Sequence, residues 1–308
     1  MALNTNQLNS ITQNKIIPKM YDNIFDTTPL LSKIMASGSY KAQNGGTQIE
    51  IPLNYAMGNG DWYEGADTLS TDDIENVTNC IYYWKSAYAA ITLLKEDELK
   101  NSGNMAVLSL LAAKSEIAKK TLKDKIATGL YSAGTNAKSI VGLRDVVAAD
   151  QTVGGISQSD YSFWQAQVDS TNTTLTLSAM NSLFQDCSLD GESPNLIVGT
   201  KANYNRYYNL LQPQQRFADT SSSTAKGGFQ SLMFNGVPFI SDTYCPSGYV
   251  FMLNLSHLHL FYHPERNITL KPFVEPTNQE LRTARVLWMG ALGSSNNRMH
   301  GAMTSVTA

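Results

Sequence analysis

The chain has 308 residues and a mass of 33.8 kDa, with 42% hydrophobic and 9% aromatic residues, which supports a large core and excludes a disordered polypeptide. Charged residues make up only 16%, below the roughly 25% of an ordinary soluble domain, a composition suited to burial against other subunits. With 23 Lys+Arg against 26 Asp+Glu, net charge −3 and no basic tail, the chain is poorly equipped to grip nucleic acid electrostatically.

Cys80, Cys187 and Cys245 are far apart, odd in number and form no CxxC, so neither a disulfide framework nor a zinc site is expected, and a reducing compartment fits best. The first residues, MALNTNQLNSITQNK, lack the early positive charge and apolar run of a secretory signal. No stretch approaches the roughly 18 apolar residues of a membrane span. A soluble protein made inside the cell is the expectation.

Residues 1–46 are polar and rich in Asn, Gln and Thr. They read as an extended arm with one small helix at 29–36, where Pro29 suits a first turn. An arm of this composition needs another surface to lie on. Residues 47–93 read as a long hairpin. Thr47–Ile51 alternates as a strand should, and Asn79–Leu94 is a second β-rich run. Between Ala42 and Trp84 there is no Lys or Arg but there are seven carboxylates: Glu50, Asp61, Glu64, Asp67, Asp72, Asp73 and Glu75. A two-stranded hairpin is marginal in water, and this one repels itself. It is either a solvated acidic loop or an element that docks on a basic surface elsewhere.

Residues 104–130 form the clearest helix. Asn104 can cap it, and Leu108, Leu111, Ser115, Ala118, Leu122, Ile126 and Leu130 make one apolar stripe. Lys114, Lys119, Lys120 and Lys123 take the other faces, and Glu116 precedes Lys120 by four residues. A rod of about 40 Å suggests a backbone strut. Residues 140–262 read as mixed α/β. A helix opens at Ser178 and carries Met180, Leu183, Phe184 and Cys187; strand Leu196–Val198 follows; Thr200 caps a helix carrying Tyr204, Tyr207, Tyr208 and Leu211. A Ser-rich loop spans 220–224, and strands are expected at 237–240, 249–253 and 258–262. Further β runs fall at 268–274, 281–292 and 299–306. Here the charge balance reverses: Arg266, Lys271, Arg282, Arg285 and Arg298 outnumber the acids, whereas no arginine occurs before Arg144.

There is no GxxxxGK[ST], GxGxxG or GxSxG, so the phosphate-cradle and nucleophile-elbow readings lack their glycines. The histidines of His257-Leu-His259-Leu-Phe-Tyr-His263 admit a metal-dependent hydrolase, with His257 and His259 on one strand face. No carboxylate lies beside them before Glu265, which favours a half-buried strand with incidental histidines. Glu96-Asp97-Glu98 reads as a solvated cluster. Trp62-Tyr63 at the hairpin tip is either a stacking platform or an interface anchor, and anchoring suits these amphipathic rings better. No enzyme signature survives, and no cofactor or metal is called for.

Several stretches, in order along nearly the full chain, resemble the major capsid proteins of tailed bacteriophages, which share the Hong Kong 97 fold with encapsulins. They are the spine helix running into Leu130-Tyr131-Ser132-Ala133-Gly134 and Val141-Gly142-Leu143; Gly154-Gly155-Ile156-Ser157 leading to Trp164; Pro194-Asn195-Leu196-Ile197-Val198 before the Tyr204 helix; Phe234-Asn235-Gly236-Val237-Pro238 with Asp242; and Phe251-Met252-Leu253-Asn254. The resemblance implies an α+β fold with an N-terminal arm (1–46), an extended β-hairpin loop (47–93), a peripheral domain with the spine helix (94–139), an axial domain (140–262) and return strands of the peripheral domain (263–308).

It further implies a virion shell subunit, present in the host cytoplasm during assembly, that forms hexamers and pentamers of an icosahedral head around double-stranded DNA without sequence-specific binding. Its partners would be itself, a separate scaffolding protein, a portal and decoration proteins, with no membrane. Because the chain begins directly with the arm, a scaffold encoded apart or a precursor cleaved beforehand is expected. The inter-subunit contacts expected from charge are Asp61, Trp62, Tyr63, Glu64 and Asp67 of one copy against Arg266, Arg282 and Arg285 of the next. An encapsulin-like cargo shell, a tail or baseplate ring and the hydrolase are the alternatives.

Overall fold

A computed structural model describes residues 28–100, 110–134, 136–171, 174–211 and 232–307. Helix α1 (Pro29–Ala36) leads into strand β1 (Tyr40–Ala42). Strands β2 (Gln48–Asn54) and β3 (Val77–Tyr83) form a hairpin; β4 (Lys85–Leu94) and α2 (Lys95–Lys100) precede the spine helix α3 (Leu110–Leu130). Short elements α4 (Leu143–Val146), β5 (Thr152–Val153), β6 (Ile156–Ser157) and β7 (Gln167–Asp169) come next, then α5 (Leu177–Asp186), β8 (Leu196–Gly199) and α6 (Lys201–Leu211). The remainder is mostly β: β9 (Leu232–Phe234), β10 (Val237–Ser241), β11 (Val250–Leu253), β12 (Leu258–Tyr262), β13 (Thr269–Leu270), β14 (Leu281–Ser294) and β15 (Gly301–Met303).

Two sheets organise these elements. In the first, β14 is the long central strand, 14 residues, with β4 along one side and β12 then β13 along the other. Strand β1 adds in parallel to the outer side of β12. Helix α3 packs on β4 and β14, burying Ala118, Leu122, Ile126 and Leu130, the second half of the stripe expected for it. Its expected start at 104–109 lies outside the described residues, as do the first 27 residues of the arm and the Ser-rich loop.

The second sheet runs β7-β15-β11-β8-β10-β9. Both of its faces are covered, which is why Leu196–Gly199 and Val250–Leu253 are buried at every position rather than at alternate ones. Ile197, Phe239, Val250 and Met252 face a core made with α5 and α6, while Leu196, Val198, Phe251 and Leu253 face the larger core shared with the first sheet and α1. The α5 cap is Thr176, whose hydroxyl accepts from the Ala179 N–H, two residues ahead of the Ser178 start expected from the sequence. Thr200 caps α6 as expected, accepting from the Asn203 N–H. Asn235 and Gly236, both at positive φ, join β9 to β10 as a two-residue hairpin turn.

Two expectations need correction. The run Asn79–Leu94 is two strands, not one: it breaks at Trp84, so that β3 pairs with β2 and β4 with β14 in a different sheet. Residues 29–42 also have a surface of their own. Leu30, Leu31 and Ile34 are buried in the main core, and Ser39 donates to the Leu255 carbonyl beside the β1–β12 pairing.

Gly142 sits where α3's exit meets α4. Its backbone is extended, open to any residue, but a Cβ there would run into the Ser132 backbone N and O and its hydroxyl. Because Ser132 is held by its own hydrogen bonds to Gly129 and Ile140, Gly142→Ala is expected to cost about 3 kcal/mol of stability. Urea unfolding checks this; an unchanged midpoint would show that the 132–142 contact simply relaxes.

Candidate functional site

The feature that stands apart from the packed body is the hairpin. Its base is anchored: Ile49, Cys80 and Tyr82 are buried, the Tyr82 hydroxyl donates to the Ser294 carbonyl at 2.8 Å and accepts from the Ser294 N–H at 3.0 Å, and the Ile81 N–H donates to Gly154. The last rung is the Tyr55 N–H to the Asn76 carbonyl. Beyond it, residues 56–75 form an exposed loop, with Met57 92%, Trp62 99% and Tyr63 67% accessible. Met57, Trp62 and Tyr63 are thus held in water at the end of a stalk whose base is anchored.

Asp61, Trp62, Tyr63, Glu64 and Asp67 are therefore brought together at one tip. Asp61 accepts from the Trp62 N–H, and Asp67 accepts from the Glu64 N–H while its own N–H returns to the Glu64 carbonyl. Gly65 supplies the positive φ that this turn needs. Among the described residues none of these five pairs with Arg266, Arg282 or Arg285. Arg282 is already engaged within the chain, its Nε donating to Glu275 Oε1 at 2.6 Å, an exposed pair in which the guanidinium holds the carboxyl below its usual range. Arg266 and Arg285 are exposed.

The histidines do not converge. The His257 ring lies 2.9 Å from Glu192 Oε2 through Nε2 and 2.9 Å from the Ser295 hydroxyl through Nδ1, and the imidazole lowers the Glu192 carboxyl. His259 Nε2 faces Lys41 Nζ at 3.3 Å, a cation where a metal ion would have to sit. His263 Nδ1 accepts from the Glu265 N–H, capping a short turn. Among the described residues no three His, Cys, Asp or Glu side chains are grouped as metal ligands. The three cysteines are free and buried; burial pushes the Cys80 and Cys187 thiols up to about 12 and raises Cys245 as well, so they are packing groups and not nucleophiles.

One polar centre was given no role by the sequence. Asp242, 2% exposed, accepts from the Leu30 N–H at the start of α1, from the Tyr131 hydroxyl at the end of α3 and from the Tyr244 N–H. It sits at the N-terminus of α1, where Thr28 makes no side-chain cap, and joins the arm helix, the spine helix and the second sheet. Tyr131 is raised well above the ordinary tyrosine range, by burial first and then by the Asp242 charge.

No family model and no curated protein sequence matches the chain. Solved structures do. A capsid subunit of cyanophage A-1(L) superposes with a TM-score of 0.71 at 19% identity, covering 96% of this chain and 97% of that one. The capsid protein of Myoviridae phage XM1 gives 0.64 at 11% identity over 95% and 96%. The SrpI encapsulin of Synechococcus elongatus PCC 7942 gives 0.60 at 12% identity over 92% of each chain. Coverage is near-complete in both directions: the chain has the α+β, Hong Kong 97-type fold of phage capsid and encapsulin shell subunits.

Proposed function

We propose that this chain is the repeating subunit of a closed protein shell, the major capsid protein of a tailed bacteriophage, assembling as hexamers and pentamers around double-stranded DNA. The observation that carries this reading is a whole-length capsid fold whose 56–75 loop holds Met57, Trp62 and Tyr63 in solvent. In this reading the loop is the extended loop, the first sheet with α3 the peripheral domain, and the second sheet with α5 and α6 the axial domain. The virion is its final location, and scaffolding, portal and decoration proteins are its further partners. A net charge of −3 suits a container that must release its DNA. The encapsulin likeness supports a second reading, a cargo-enclosing shell, in which particles would hold protein and not DNA.

Negative-stain microscopy and sedimentation of the expressed protein test the proposal: closed particles are expected, and rings, tubes or dispersed single chains would overturn it. Replacing residues 57–75 with a short Gly-Ser link keeps the Tyr55–Asn76 rung and every buried hairpin residue. That variant is expected to unfold at the wild-type midpoint and to form no closed particles. Wild-type particle yield from it would remove the loop from the assembly mechanism.

A further inference from the structure

A serine, a histidine and a carboxylate meet in line where β14 ends. The β12–β14 ladder sets Leu258 opposite Ser294, and one position further the Ser295 N–H donates to the His257 carbonyl at 2.9 Å. Their side chains meet as well: the Ser295 hydroxyl lies 2.9 Å from His257 Nδ1, and His257 Nε2 lies 2.9 Å from Glu192 Oε2. Glu192 closes a tight turn, exchanging two backbone bonds with Leu189 across Asp190 and Gly191, both at positive φ. The buried Asn254 amide donates to the same Oε2 at 3.2 Å, and the Asn254 carbonyl accepts from the His257 N–H. An ionised carboxylate can only accept, so the ring proton sits on Nε2, and the neutral imidazole turns its Nδ1 lone pair to the Ser295 O–H. In that state an imidazole can take a hydroxyl proton.

Ser295 stands in the wall of a cavity of about 550 Å³. Leu53, Tyr55, Phe163 and Leu189 give it an apolar lining, and Asn296 and Arg298 share the wall with the serine. Tyr55 and Phe163 stack with ring centres 5.2 Å apart, which fixes one side. The Asn296 N–H, next in the chain after Ser295, has no hydrogen-bond partner among the described residues. A donor beside the serine is therefore open to negative charge developing on a carbonyl oxygen. Residue spacing gives no sign of this arrangement, because 192, 257 and 295 belong to three separate segments.

We propose that Ser295, His257 and Glu192 form a nucleophile triad, and that Ser295 takes up the acyl group of an ester with a short apolar acyl chain bound in this cavity. Ser295 Oγ attacks the ester carbonyl carbon and forms the new C–O bond while His257 Nδ1 takes the hydroxyl proton. Glu192 holds the imidazolium in place. The ester C–O bond then breaks, and the alkoxide leaves as the alcohol with that proton. A water molecule, giving its proton to the same Nδ1, attacks the acyl-serine and frees the acid. The cycle consumes only ester and water. Ser295 and His257 touch the reacting atoms; Glu192 and Asn254 are positioning residues. The inference stands apart from the shell reading, since each chain carries all of these residues itself.

The test is incubation of the full-length chain with an alkyl fluorophosphonate, followed by peptide mass spectrometry. The probe forms a P–O bond to an activated serine, fluoride leaves, and the hydroxyl proton passes to the imidazole. An adduct on Ser295 is expected. His257→Ala is expected to slow that labelling about 100-fold or more, with partial recovery in free imidazole, which a merely structural loss would not show. Glu192→Gln keeps an acceptor at Nε2 but removes the charge, and is expected to slow it about tenfold or more. Hydrolysis of p-nitrophenyl butyrate is expected to fall in parallel in both variants. Labelling of Ser295 no faster than that of other exposed serines, or a wild-type rate in either variant, overturns the proposal and leaves the shell standing.

Discussion

Asp242→Ala is expected to destabilise the folded chain by about 3 kcal/mol or more, although the residue touches no surface. The substitution strands two buried donors, the Leu30 N–H and the Tyr131 hydroxyl, together with the half-buried Tyr244 N–H, and leaving a buried donor unmet costs about 1–3 kcal/mol each. It also removes the negative charge at the α1 N-terminus, where the helix dipole favours one. Tyr131→Phe removes one donor and leaves the carboxylate its other partners, so a loss of about 1 kcal/mol is expected. Urea unfolding of both single variants and the double variant checks the assignment. The double variant should cost less than the sum, because the Tyr131 contact can be lost only once. A loss below about 1 kcal/mol for Asp242→Ala would show that Asp242 is not the joint between arm and spine.

Acid is expected to weaken the fold between pH 7 and 5 by about 2 kcal/mol for each of two imidazoles, His300 and His259. His300 is fully enclosed. Its Nδ1 accepts from the Asn254 N–H at 3.2 Å, and Nε2 lies 3.3 Å from the Ser294 hydroxyl, so the neutral ring with its proton on Nε2 satisfies both. A second proton would set two donors, Nδ1–H and the Asn254 N–H, against each other. Burial first, then His257 and His259, push His300 down to about 3. For His259, burial and then Lys41 push it down to about 4.

The sign follows directly. An unfolded chain takes up these protons near pH 6.5, whereas the folded chain refuses them until about pH 4 and 3. The stabilisation is therefore complete above pH 6.5 and is lost as pH falls through that window. Denaturant unfolding at pH 7 and pH 5 measures it. His300→Asn, which retains an acceptor near the Nδ1 position, is expected to be less stable at pH 7 but to lose about 2 kcal/mol less between the two pH values. An identical pH dependence in the variant would place the acid sensitivity elsewhere.

The acidic loop was legible because charge is a property of the list of residues: a 43-residue stretch without a base is visible before any fold is known. Trp62 and Tyr63 stood out for a similar reason, since nothing near them in sequence could bury them, and both are exposed in the fold. Arg266, Arg282 and Arg285 formed the evident basic cluster in sequence, and the fold adds that Arg282 pairs with Glu275, seven residues away. Spacing placed His257, His259 and His263 together, and residues from 192, 295 and 41 gave the first two different neighbours.

What the sequence by itself determined were the elements whose evidence lies within one or two turns: the Pro29 helix, the second half of the spine helix with its stripe, the Thr200-capped helix and the strands expected at 196–198 and 249–253. Helical periodicity, caps and turn glycines act over three or four residues, so their signal is local. Only the tertiary structure decided that Trp84 separates two sheets, that β1 lies beside β12 some 220 positions away and that Asp242 joins arm to spine. Each of these depends on which backbone groups and charges find partners across long separations, and that matching is settled by the packing of the whole chain.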